Sequence, residues 1–129
     1  MRYYSEDHVW VQLDDRVATL GISRHAADEL GELTFVELPI QGSHIAAGEV
    51  LCVVESVKTA ADVACPIAGT VHQVNGRLAD EPALVNTHPE ADGWICRLRD
   101  VCAADLQRLM TARQYEAAMA GQTDPSAPA

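Results

Sequence analysis

The sequence predicts a mainly β domain, a sandwich or barrel carrying peripheral helices. Three observations predict it. Short runs rich in Val, Ile, Leu and Thr recur through most of the chain, Gly, Pro, Asn and Asp punctuate them, and helical periodicity takes over only near the C-terminal end.

Residues 8–13 and 17–22 read as a hairpin, apolar and β-branched on either side of the polar turn Asp14-Asp15-Arg16. Ser23 is placed to cap a short helix over Arg24–Leu30, its hydroxyl accepting from a free first-turn amide, and Gly31 to stop that helix with a left-handed residue. A strand over 33–38 ends at Pro39, which has no amide hydrogen to give a ladder. Gly42 and Gly48 set turns on each side of a short strand within 43–47. Two apolar runs follow, 49–54 and 62–65, joined through the polar stretch Glu55-Ser56-Val57-Lys58-Thr59-Ala60-Ala61-Asp62 and closed by Pro66-Ile67-Ala68-Gly69. Pro66 enforces the strand end, and Gly69 reads as a turn glycine.

Residues 70–74 form a further strand before Asn75-Gly76, a strong turn dipeptide. Residues 77–93 carry Pro82 and Pro89 and lack sustained alternation, so they read as a long surface connection with one helical turn. Strand character resumes over 94–98, after which the period changes. Residues 105–110 are helical in pattern, and Thr111-x-x-Gln114 is a capping box that opens a second helix through Ala120. Gly121 is placed to stop it. Residues 1–120 are therefore expected to form one domain, and the Pro- and Ser-containing 121–129 a disordered tail.

With 129 residues, 48% of them hydrophobic but only 5% aromatic, one core built from Val, Leu, Ile and Ala is expected. A formal charge of −10 disfavours nucleic acid and anionic membrane as partners, since both are polyanions, and favours basic protein surfaces; the alternative is that the acidity serves solubility alone. No apolar run approaches the roughly 20 residues that a membrane span requires. The strand pattern starts close to Met1, which leaves no room for a signal peptide and points to a bacterial cytoplasm. Cys52, Cys65, Cys96 and Cys102 show no Cys-x-x-Cys spacing, so neither a metal site nor a redox motif is expected, and the thiols read as small apolar residues.

Lys58 is the most informative residue. A long cationic side chain at the tip of a β-turn has no core to fill, so its amine is presented to solvent and to any enzyme that modifies it. Glu55-Ser56-Val57-Lys58, followed by Pro66-x-x-Gly69-x-Val71-x-x-Val74-Asn75, resembles the lipoyl-attachment hairpin of the glycine cleavage H-protein family. The likeness continues through Phe35-Val36-Glu37-Leu38-Pro39, Pro82-x-Leu84-Val85-Asn86 and Gly93-Trp94, with order and separation kept from about Tyr4 to Ala120.

The resemblance sharpens the fold to the flattened, barrel-like sandwich of lipoyl and biotinyl carrier domains, with a short internal helix and C-terminal helices. It implies that Lys58 carries lipoic acid in amide linkage, on an arm reaching on the order of 10 Å by bond-length addition. It further implies a non-catalytic shuttle, and a shuttle that must leave successive partners favours a monomer. Its partners would be a pyridoxal-phosphate glycine decarboxylase, a tetrahydrofolate-dependent aminomethyltransferase, dihydrolipoyl dehydrogenase and the enzymes that attach lipoate. Asp62 matches an acidic position that the family places beside the arm, where a carboxylate would bind an ammonium group; the alternative is an exposed hairpin acid. Glu55 matches the motif glutamate three residues before the lysine and would serve recognition by modifying enzymes; the alternative is a solvated turn.

One departure is His8-Val9-Trp10, where the family usually has His-Glu-Trp. Val9 cannot hold an ammonium, and Asp7, placed by strand alternation on the same face, is the candidate to supply that charge. Cys52 and Cys65 flank Lys58 almost symmetrically, and a thiol near a lipoyl disulfide would exchange with it. Alternatives are an H-like paralogue relaying lipoate or carrying another unit, and a biotinyl carrier, whose hairpin usually has methionine where Val57 and Thr59 stand. Further from these lie an unmodified interaction module and a Cys–His enzyme, for which no local signature exists.

Overall fold

The computed structural model describes residues 2–122. In chain order these form β1 (Arg2–Tyr4), β2 (Val9–Asp14), β3 (Val17–Ile22), α1 (Arg24–Leu30), β4 (Leu33–Glu37), β5 (His44–Ile45) and β6 (Val50–Ser56). There follow β7 (Ala60–Ala64), β8 (Gly69–Val74), α2 (Arg77–Asp80), α3 (Leu84–Thr87), β9 (Cys96–Arg99), α4 (Ala103–Leu106), β10 (Met110–Thr111) and α5 (Ala112–Gln122). One sheet has the order β10-β1-β2-β3-β9-β8-β5 and the other β4-β6-β7. Together they make the expected sandwich. Val11, Leu20 and Leu98 from the larger sheet join Val36, Val54 and Val63 from the smaller in one buried cluster.

Local chemistry accounts for the ends of two helices. Ser23 accepts a hydrogen bond from the Ala26 amide and so caps α1, while Gly31, at φ 79°, ends it by donating its own amide to the Ala27 carbonyl. The Thr111–Gln114 box closes in both directions: the Thr111 amide donates to Gln114 Oε1 at 2.9 Å and the Gln114 amide to Thr111 Oγ1 at 3.2 Å.

Several expectations are corrected. Residues 77–93 are no loose surface connection, because Leu78 and Val85 are fully buried in the core and α2 and α3 hold them there. Gly76 sits at φ −60°, so Asn75-Gly76 makes no hairpin turn; the Asn75 side-chain Nδ2 instead donates to the Asp92 and Trp94 carbonyls and draws the connection closed. The helix expected over 105–110 is confined to α4, and Met110 and Thr111 extend to pair with Tyr4 and Tyr3 of β1, a strand the pattern had not revealed. An open ladder edge overrides helix propensity there. Gly69 lies in a strand, where an added Cβ would sit 3.1 Å from both the Arg99 carbonyl oxygen and Leu98 Cβ, so close packing rather than a turn requires it. α5 continues through Gln122, past the expected stop at Gly121. The remaining tail positions, 123–129, lie outside the described residues.

Burial also sets a pH dependence. It pushes the Cys65 thiol up to about 11 and Cys52 up to about 12, and burial with the neighbouring Glu90 pushes the Tyr4 phenol up to about 12. Each group ionises at lower pH in the unfolded chain, from about 9 for thiols and 10 for tyrosine. Their contribution to stability is therefore complete below about pH 9 and is lost as pH rises towards 12. Denaturant midpoints followed by circular dichroism should accordingly fall across that window, and Tyr4→Phe should flatten the upper part of the fall.

Candidate functional site

Lys58 stands at the tip of the β6–β7 hairpin, and it is the chain's single lysine; the rest of its nine Lys and Arg residues are arginines. The ladder runs Val53↔Asp62, Val54↔Ala61, Glu55↔Ala60, and the Ser56 amide donates to the Thr59 carbonyl at 2.7 Å, leaving Val57 and Lys58 as an exposed tip. Ser56 Oγ accepts from the Lys58 and Thr59 amides at 3.2 and 3.1 Å, which fixes the turn from inside. The Val57 amide donates to the Glu32 carbonyl at 3.2 Å and ties the tip to the segment after α1.

The lysine side chain lies over Gly31. A Cβ there would sit 3.2 Å from Lys58 Cε and 3.5 Å from Nζ. Asn86 of α3 secures this bed from below, with Nδ2 donating to the Gly31 carbonyl at 2.6 Å and Oδ1 accepting from the Leu33 amide at 2.9 Å. None of the ion pairs among the described residues involves Lys58.

From Leu30, next to Gly31, an open cleft of about 390 Å³ runs between α1, β7 and the turn before β2. Its walls are apolar (Ile22, Ala26, Leu30, Ala61, Val63), and its acids are Glu6, Asp7, Glu29 and Asp62, with no lysine or arginine among the lining residues. Such a groove suits a hydrocarbon chain that ends in a cation.

Of the residues singled out from sequence, Asp62 and Asp7 both line the cleft. Asp7 does so for a different reason from the one expected. It belongs to the turn that the His8 amide closes onto the Ser5 carbonyl at 3.1 Å, not to the face of β2, whose first residue Val9 is wholly buried in the core. Glu55 is exposed and lies outside the cleft. Cys52 and Cys65 are buried with their thiols raised, so the disulfide-exchange expectation and the Cys–His alternative both lose their thiolate.

Sequence reasoning missed a cluster that shares His8 and Glu29 with the cleft. His8, at φ 67°, has its Nδ1 2.8 Å from the Tyr115 hydroxyl, which lies 2.8 Å from Ser23 Oγ. The His8 and His25 rings are 4.7 Å apart, and His25 Nε2 contacts Glu29 Oε1. Burial, then the charge on His25, hold the His8 imidazole below its ordinary value. The spacing His25-x-x-x-Glu29 on a helix was the signal available.

Residues 2–122 match the family model described as "Glycine cleavage H-protein". The glycine cleavage system H protein of Acidiphilium cryptum is 50% identical over 117 residues, covering 91% of this chain and 94% of that one. That of Thermotoga maritima is 40% identical over 116 residues, covering 90% and 94%. A crystal structure of a glycine cleavage system H protein from Mycobacterium marinum superposes with a TM-score of 0.81 at 34% identity, covering 95% of each chain. Among the described residues no helix is long and apolar enough to cross a membrane.

Proposed function

The chain belongs to the glycine cleavage H-protein family, and on that footing we propose that it is a lipoyl carrier, loaded on Lys58, that moves an aminomethyl group between the enzymes of glycine cleavage. The observation that carries this reading is the chain's one lysine, outside every ion pair among the described residues, at an exposed hairpin tip and laid over Gly31, the sequence neighbour of Leu30 in the wall of an apolar cleft rimmed with acids. When attached, lipoic acid supplies the disulfide and dithiol chemistry that accepts and gives up the aminomethyl group.

The protein's share is position and protection. The β6–β7 ladder holds the amine clear of the core, and Glu55, outside the cleft, offers lipoylating enzymes a charge on the hairpin. Ile22, Leu30, Ala61 and Val63 give a bed for hydrocarbon. Docking about four methylenes there contributes at most roughly 3 kcal/mol, and the ordering of the same torsions offsets much of it. Asp62 and Asp7 would hold an ammonium at the end of such a chain, a contact worth about 0–1 kcal/mol at a surface. The grip is therefore weak enough for release to each partner in turn. Those partners are glycine decarboxylase, aminomethyltransferase, dihydrolipoyl dehydrogenase and the lipoylating enzymes, and a monomer best serves such traffic.

Two measurements on wild-type protein test the reading. Produced together with lipoylating enzymes, the chain should gain one lipoyl addition by intact mass, a value distinct from that of biotin. Once loaded, it should support exchange of glycine's carboxyl carbon with bicarbonate when mixed with glycine decarboxylase. A bare chain in cells whose other lipoyl acceptors are full would overturn carriage; a loaded chain giving no exchange would overturn the glycine assignment.

A further inference from the structure

The carrier reading leaves His8, His25 and Glu29 without a task. One ligand-type atom from each lies within 4.8 Å of the others. We propose that these three side chains form a binding site for a divalent first-row transition cation, Zn²⁺ in particular.

Two imidazoles and one carboxylate are a donor set that suits Zn²⁺ with one coordination position left open. With metal–ligand lengths of about 2.1 Å, tetrahedral donors stand about 3.4 Å apart, so adjustments on the order of 1 Å assemble the site. His25 and Glu29 lie four apart on one face of α1, and their side chains retain 28% and 65% of their exposure, which leaves them free to make that adjustment. His8 comes from a different element, the turn before β2, so the site clamps the turn to the helix.

The surroundings have the form of an orienting shell. The Tyr115 hydroxyl occupies His8 Nδ1 and is itself anchored by Ser23, which leaves Nε2 of His8 for the cation; a cation bound there would have Nδ1–H donate to Tyr115. His8 and Glu29 line the same cleft as Glu6, Asp7 and Asp62, so the site lies in a strongly negative field on a chain of net charge −10. A merely packed polar contact would use the Tyr115 bond and the His25–Glu29 pair but would bind nothing. The site requires no modification of Lys58.

Titration calorimetry with Zn²⁺ on chelator-stripped, full-length protein with Lys58 bare tests this directly, in a Cys102→Ser background that removes the exposed thiol. One ion per chain is expected, and Co²⁺ should give the intense visible bands of a four-coordinate site. Glu29→Gln and His25→Ala should each weaken binding roughly tenfold or more, and Tyr115→Phe roughly tenfold through the lost orienting bond. His72→Ala, on the exposed side of β8, should change nothing. Absence of stoichiometric Zn²⁺ binding by the wild type would overturn the site without touching the carrier reading. So would binding that survives the His25→Ala/Glu29→Gln pair, provided circular dichroism shows each variant folded.

Discussion

Lys58→Ala is expected to abolish lipoyl loading completely while changing folding stability by no more than about 0.5 kcal/mol. The two halves of this result have separate causes. Loading needs a primary amine, and no other side chain of this protein has one, since Lys58 is its single lysine. Stability is set away from the tip, by Val54 and Val63 in the core and by the Ser56–Thr59 closure, none of which uses the lysine side chain. Lys58→Arg is the sharper companion. It keeps the charge and most of the length over Gly31, but a guanidinium does not become the required amide. Intact mass after production with lipoylating enzymes and a thermal melt of the same samples check both halves. A lipoyl addition on either variant would show that the attachment point is elsewhere; a large drop in melting temperature would show that the tip is structural.

Why Lys58 was legible and the His8 cluster was not follows from how far each signal travels along the chain. A hairpin is local: two apolar runs, a polar stretch and a closing proline suffice to place an amine at a tip. The Ser23 cap and the Thr111–Gln114 box are equally local, each joining residues three positions apart, and both formed as expected. The contact of His8 with Tyr115 spans 107 positions, and nothing in either neighbourhood announces the other. Asp7 illustrates a middle case, because it lines the cleft from a turn and not from the strand face on which alternation placed it. The segment 77–93 misled for another reason. Its two prolines suggest exposure, yet Leu78, Leu84 and Val85 pack on the core from short helical turns, too few to give a period. That segment also supplies Asn86, the clamp beneath Gly31, so part of the bed under the lysine was hidden where the pattern looked emptiest.

Gly93→Ala is expected to be the most damaging single methyl in this protein, at about 3–5 kcal/mol. An added Cβ would lie 2.5 Å from the Leu84 carbonyl oxygen, 2.7 Å from that of His88 and 2.9 Å from the Leu84 carbonyl carbon. These are backbone atoms in α3 and its C-terminal cap, so no rotamer change relieves the clash, and overpacking of this kind alone costs roughly 1–3 kcal/mol or more. Moving α3 would then disturb Val85 in the core and pull Asn86 from the Gly31 carbonyl and the Leu33 amide. Leaving such groups without partners adds about 1–3 kcal/mol. In a domain of this size the sum corresponds to a fall in melting temperature of roughly 10 °C or more. Gly76→Ala gives the contrast: nothing lies within 4 Å of its added Cβ and its φ is −60°, so it should stay within about 1 kcal/mol of wild type. Equal melts for the two variants would refute the steric account. A large, selective loss at Gly93 would show that the bed beneath Lys58 rests on a connection the hydrophobic pattern did not mark.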